Sequence, residues 1–132
     1  MAERDQKASN EYFSIPEIPQ AFRTTDFDFA ACVMALPQGG EYPKVELLDV
    51  LPYSRSAKAA GRGYRFSFFL WIPADRERSV ELLRELQMQY VSGKLVVEPY
   101  RFSGVRQQLR SMMDSYAARN IADVTVAQEA GV

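Results

Sequence analysis

The stretch YRFSFFLWI, residues 64–72, constrains the fold more than any other part of the chain. It reads as a strand. Successive side chains of a strand point to opposite faces, so Phe66, Phe68, Leu70 and Ile72 share one side and Ser67, Phe69 and Trp71 the other. Both sides are largely apolar. A small sheet with helices on one side only leaves Phe69 and Trp71 in water. Something must cover them, either another part of the same chain or another protein.

A second apolar strand, KVELLDVL at 44–51, precedes it, and residues 52–63 join the two. That connection exceeds the roughly two to five residues usual in a hairpin, and it is rich in Ser, Ala and Gly, so it is expected to be exposed. Upstream, a helix is expected from Thr25 to Leu36. Thr25 caps it, Asp28 completes a capping box, and Asp26 sits at the positive end of the dipole. This helix is apolar nearly all round, hence buried on several sides, and Pro37 with Gly39-Gly40 ends it.

Downstream, Asp75 caps a second helix that carries Val80, Leu83, Leu86 and Tyr90 inward, and Ser92-Gly93 stops it. KLVVE at 94–98 reads as a short strand. Pro99 takes the first position of a third helix, with Phe102, Val105, Leu109, Met112 and Tyr116 as its buried stripe. Arg106, Arg110 and Asp114 line the outer side, four residues apart, where Arg110 and Asp114 can pair. The expected fold is α+β: a small antiparallel sheet of two or three strands packed with three helices, in the order α-β-β-α-(β)-α. Residues 1–22 form an extended arm, because Pro16 and Pro19 block regular helix. Residues 23–119 form the single domain and 120–132 a C-terminal tail.

A chain of 132 residues buries about two thirds of its unfolded surface, enough to fold without metals or disulfides. No apolar run approaches the ~20 residues that span a bilayer, and MAERDQKASNEYF lacks the apolar core of a signal peptide. One cysteine, Cys32, excludes an internal disulfide framework and suits a reducing compartment. The expectation is no membrane association, and a place in the cytoplasm of a host cell or in a virion. Net charge is −1, which argues against a general nucleic-acid coat. Its distribution is uneven: residues 1–50 hold four Lys/Arg against nine Asp/Glu, and residues 51–132 twelve against eight.

Catalytic chemistry finds little to work with. The chain has no histidine, so the commonest general base and metal ligand is missing, together with Ser-His-Asp and Cys-His catalysis. Cys32 lies within an apolar helix with no histidine to activate it. Asp26 and Asp28 read as first-turn helix residues before they read as metal ligands. Asp49 in an apolar strand is explained by an edge position or a salt bridge. Gly61-Arg62-Gly63 lacks the third glycine of a dinucleotide fingerprint and precedes a strand instead of following one. Gly93-Lys94 is followed by Leu95, where a phosphate loop needs Ser or Thr. No enzyme, no cofactor and no metal are expected.

The stretches RTTDFDFAACVMAL, GYRFSFFLWI and SGKLVVEPYRFSGVRQQLRSMM resemble a small uncharacterised domain of bacterial and phage proteins. In that family a Thr-x-Asp segment opens an apolar helix and an aromatic strand follows. A Gly-x-(apolar)-Val-x-Pro-x-x-Phe segment then leads into a final helix, and Gly93, Val97, Pro99 and Phe102 match it here. The resemblance covers roughly residues 23–116. It implies a phage or mobile-element setting and no particular chemistry. The arm, the loop at 52–63 and the tail depart from the pattern, so what is particular to this chain is expected there.

Two functional expectations follow. The first is a structural or protein-interaction protein that engages neighbours, including copies of itself, through Tyr12, Phe13, Ile15 and Ile18 of the arm and Phe69 and Trp71 of the sheet. A phage regulator that binds a host protein belongs to the same class. The second is a nucleic-acid-binding accessory protein. Arg55, Lys58, Arg62 and Arg65 would lie along phosphates, and Tyr53 and Tyr64 would stack on bases. The first uses more of the chain's unusual features, and the basic loop can serve it by meeting the acidic half of another copy.

Overall fold

The computed structural model describes residues 10–37, 40–56 and 63–131, with side chains for 11–37, 40–56 and 63–118. At its centre is a hairpin of two long strands, β3 (Glu46–Ser56) and β4 (Tyr64–Trp71), paired from Glu46 opposite Trp71 to Arg55 opposite Tyr64. Short strands flank it. β1 (Asn10–Tyr12) pairs with Ser54–Ser56 on one side, and β2 (Phe22–Thr24) pairs with Phe68–Leu70 on the other. The sheet is antiparallel with order β1-β3-β4-β2.

Three helices complete the α+β fold: α1 (Phe27–Met34), α2 (Ser79–Val91) and α3 (Pro99–Gly131). They meet one face of the sheet. Phe29 and Val33 of α1, Leu83 and Leu86 of α2, and Leu109 of α3 form one buried cluster with Phe66, Phe68, Leu70 and Val50. These are the residues that alternation assigns to a single side of β4, so the strand's period determines which face the helices cover.

Several expectations are corrected. The sheet has four strands, because the arm contributes β1 at one edge and runs into β2 at the other. The strand expected at 44–51 continues through Pro52 to Ser56, so half of the presumed loop is sheet. A proline is tolerated there because its missing N–H faces away from β4, on the side where β1 does not reach. Gly63 closes the hairpin, its carbonyl accepting from Ser56 N at 2.9 Å. A Cβ on it would stand 2.8 Å from the Ser56 carbonyl oxygen, so the two chains approach this closely only with glycine.

KLVVE pairs with no strand among the described residues, yet its alternation holds: Leu95 and Val97 pack on the core while Val96 is exposed. The cap of α1 is Asp26, whose Oδ1 accepts from Phe29 N at 3.0 Å, and not Thr25. Asp28 instead faces Arg106 of α3 at 3.2 Å, an ion pair in which the Arg106 Nε–H does not point at the carboxylate. Arg106 is therefore half-buried between helices, while Arg110 is exposed, as expected of the outer side. Arg106 lies between the rings of Phe27 and Phe102, 5.5 Å from each, and Arg110 is 5.6 Å from Phe27.

The connector from β1 to β2 must pass from one edge of the sheet to the other. The helices occupy the front, and the alternate residues of β4 face the back. There Phe69 is only 2% exposed although it stands outside the helix-side cluster. Arg23 of β2 reaches along the same face. Its Nε donates to the buried Ser67 Oγ at 2.8 Å, and its guanidinium sits 5.7 Å from the Tyr53 ring. Ile18 and Ala21 close a turn, with Pro19 second and Gln20 third at φ 66°, that delivers the chain to β2. The chain's N-terminal part thus supplies both flanking strands of its own sheet, and Arg23 of one of them packs on the back face.

Candidate interaction groove

The residues expected to form an interface do not form one patch. Tyr12 is 76% exposed, Phe13 and Ile15 are exposed to lesser degrees, and Ile18 is half-buried. Phe13 turns toward the front and stacks on Tyr64, with ring centres 6.3 Å apart. Phe69 is buried, so the expectation that it stands open to a partner is corrected. Trp71 is half-buried beneath Arg76, whose guanidinium lies 4.7 Å from its ring.

The basic set is dispersed as well. Tyr64 is held by Phe66 and Tyr116, and Arg55 lies over it at 5.6 Å with a buried Nε that has no hydrogen-bond partner. A tyrosine engaged in this way has no face left for a base. Tyr53 is occupied by Arg23 on the back, and Arg65, opposite Ser54, is exposed on that same side. Lys58 and Arg62 lie outside the described residues. Arg55 and Arg65, ten residues apart across the hairpin, thus address opposite faces of the sheet.

An open apolar surface exists elsewhere. α3 crosses the front of the sheet without covering the N-terminal half of β3, and a groove of about 660 Å³ runs between them. Its walls include Leu47 of β3, Met34 of α1, and Gly104, Gln108, Leu109 and Met112 of α3. A second hollow of about 520 Å³ continues it past Val50, Ser115 and Tyr116, and the two share Ser111 and Met112. Met112 was expected in the buried stripe. Met113 packs there instead, and Met112 is 44% exposed over the groove. A Cβ on Gly104 meets nothing within 4 Å, so the groove is open at that end too. Gln108, Ser111 and Ser115 lay outside the sequence reading because small and neutral side chains on a helix carry no distinguishing signal.

The strand beside the groove offers little to one kind of partner. β1 covers only Ser54–Ser56, which leaves Glu46–Leu51 as an edge among the described residues. Edge strands attract further strands through their free N–H and C=O groups. Donors alternate sides, so those of Val50 and Pro52 point the same way. Pro52 has none, and Val50 N already donates to Asp49 Oδ1 at 2.9 Å. Asp49 therefore sits at an exposed edge, as one sequence-based explanation held. The register also breaks at Leu48 and at Tyr53, which bends the edge away from flat pairing. Side chains can enter the groove; a β-strand finds few donors.

Burial pushes the Cys32 thiol up, away from the reactive thiolate. The Tyr90 phenol is also raised, first by burial and then by the charges of Asp26, Asp28 and Cys32. Among the described residues no three His, Cys, Asp or Glu side chains group as a metal site would require, and no helix is long and apolar enough to cross a membrane. Compared with family models, curated proteins and solved structures, the chain matches none.

Proposed function

We propose that this is a non-enzymatic protein-interaction domain, a structural or regulatory component, whose contact surface is the groove between α3 and β3. The observation that carries the reading is an apolar groove with an exposed methionine on its lip, beside an edge where the Val50 donor is occupied and Pro52 has none. Apolar surface of this kind on a folded domain is covered by a partner or becomes an aggregation hazard. The guarded edge supports a partner that offers side chains from a helix over one that offers an extended backbone. A phage or mobile-element setting is part of the proposal and rests on the family resemblance alone.

The reading is tested with a photoreactive side chain placed at Gln108, in the groove, and a control at Arg84, on the exposed side of α2. Irradiation in the native host is expected to give discrete protein adducts from position 108 and none from position 84. Absence of adducts at 108, or equal labelling at both, contradicts it.

A further inference from the structure

The basic residues of the hairpin divide between the two faces of the sheet, and the back face gains a further arginine, Arg23, from the β2 edge. We propose that the hairpin end of the back face binds the backbone of a single-stranded nucleic acid. Arg23 and Arg65 hold its phosphates and Tyr12 stacks on a base. This surface lies on the other side of the sheet from the groove and does not depend on it.

Arg23 is fixed in place. Its Nε donates to Ser67 Oγ at 2.8 Å and its guanidinium lies 5.7 Å from the Tyr53 ring, so two contacts hold the head across β4. The side chain is exposed, and among the described residues its two Nη groups have no acceptor. A guanidinium anchored through Nε keeps its paired Nη edge for a phosphate, with little side-chain freedom left to lose. Arg65 stands two residues from Ser67 on the same face, about 7 Å along the strand. It too is exposed, and among the described residues neither arginine pairs with a carboxylate. The acids of this face are engaged elsewhere. Glu46, opposite Trp71, is bound to Lys44, and Asp49, opposite Phe69, turns its Oδ1 to Val50 N.

Tyr12 completes the surface. β1 sets it opposite Ser54, and Ser54 stands opposite Arg65, so the three form one row across the back. At the usual strand spacing Tyr12 and Arg65 are about 10 Å apart. Arginines already lie over Tyr53 and Tyr64. Tyr12 is 76% exposed, and its ring meets no other ring or cation among the described residues. Guanidinium groups that follow the phosphates, beside a ring that stacks on bases, bind single strands with little regard to sequence. A duplex keeps its bases paired and gives such a ring nothing to stack on.

The test is fluorescence anisotropy of a labelled single-stranded oligothymidylate with the full chain, Arg23→Gln, Arg65→Gln, Tyr12→Ala and, as a control on the exposed side of α2, Arg84→Gln. Far-UV circular dichroism checks each fold. Arg65 and Tyr12 are exposed, so their variants decide the matter even if Arg23→Gln unfolds. Two phosphate contacts predict a salt slope of about −1.4, so affinity is expected to fall about sevenfold between roughly 50 and 200 mM salt. Each arginine variant is expected to reduce that slope by about 0.7. Tyr12→Ala is expected to weaken binding about fivefold or more at an unchanged slope, and Arg84→Gln to change neither. The proposal is overturned by no binding at low salt, by an Arg84→Gln effect equal to that of Arg65→Gln, or by wild-type affinity in Tyr12→Ala. It is equally overturned if a duplex, or a phosphoserine peptide of the same charge, binds as tightly as the single strand.

Discussion

Ser79 is fully buried at the start of α2, and its hydroxyl accepts from Ile72 N at 2.9 Å while facing the carbonyls of Ile72 and Asp75 at 3.2 and 3.1 Å. One side chain ties the end of β4 to the first turn of the helix. Ser79→Ala leaves the Ile72 N–H without a partner in the core and is expected to cost about 1–3 kcal/mol in chemical denaturation. A change within error shows that a water takes over the bond. Cys32 and Tyr90 give the residue scale a pH dependence. Both hold their protons more tightly folded than unfolded, so the stability they contribute is full below the ordinary thiol and phenol values, about 8.5 and 10, and is lost as pH rises through the higher folded values. Melting temperatures are expected to fall above about pH 9, and less steeply in Cys32→Ala. Identical alkaline limbs in the two proteins contradict the assignment to Cys32.

At the scale of elements, the aromatic strand was the most legible part of the chain. Alternation along β4 identified the front face, and the three- and four-residue spacing in α2 identified Leu83 and Leu86 as core. The cover for the other face was not legible. β1 and β2 are three residues each, too short to show any period, and Pro16 and Pro19 pointed to an arm where the chain in fact adds strands to both edges of its own sheet. Phe69 therefore changes category. Phe69→Ala is expected to destabilise the fold by about 3–5 kcal/mol, as truncating a buried aromatic does, where an interface residue would leave the melt unchanged. The strand running through Pro52 was hidden for a related reason: proline signals a loop unless its N–H side is known to be unpaired. The guard at the β3 edge predicts its own mutant. Asp49→Ala frees the Val50 N–H and is expected to raise concentration-dependent light scattering with little loss of stability. Unchanged scattering shows that Pro52 and the two register breaks are sufficient.

At the scale of the whole molecule, α3 is the element around which the account is organised. Its first half locks onto α1 through Arg101, whose Nη2 donates to the Leu36 carbonyl, and through Arg106 against Asp28 and the phenylalanine rings. Its flank leaves a groove, and its second half continues as helix beyond the core contacts described for the body. The groove was only partly legible because a helix reads its core in steps of three or four, and Met112 and Met113 are both one such step from Leu109. Which of them faces inward depends on how α3 lies across the sheet, which is a property of the packed molecule.

The most direct measurement is amide hydrogen exchange along the groove walls, Glu46–Leu51 and Gly104–Ser115, in the purified protein and in an extract of the native host. The account predicts slower exchange along both walls in the extract, while the paired core of the β3–β4 hairpin is protected equally in both. Equal exchange of the groove walls in the two samples would contradict it.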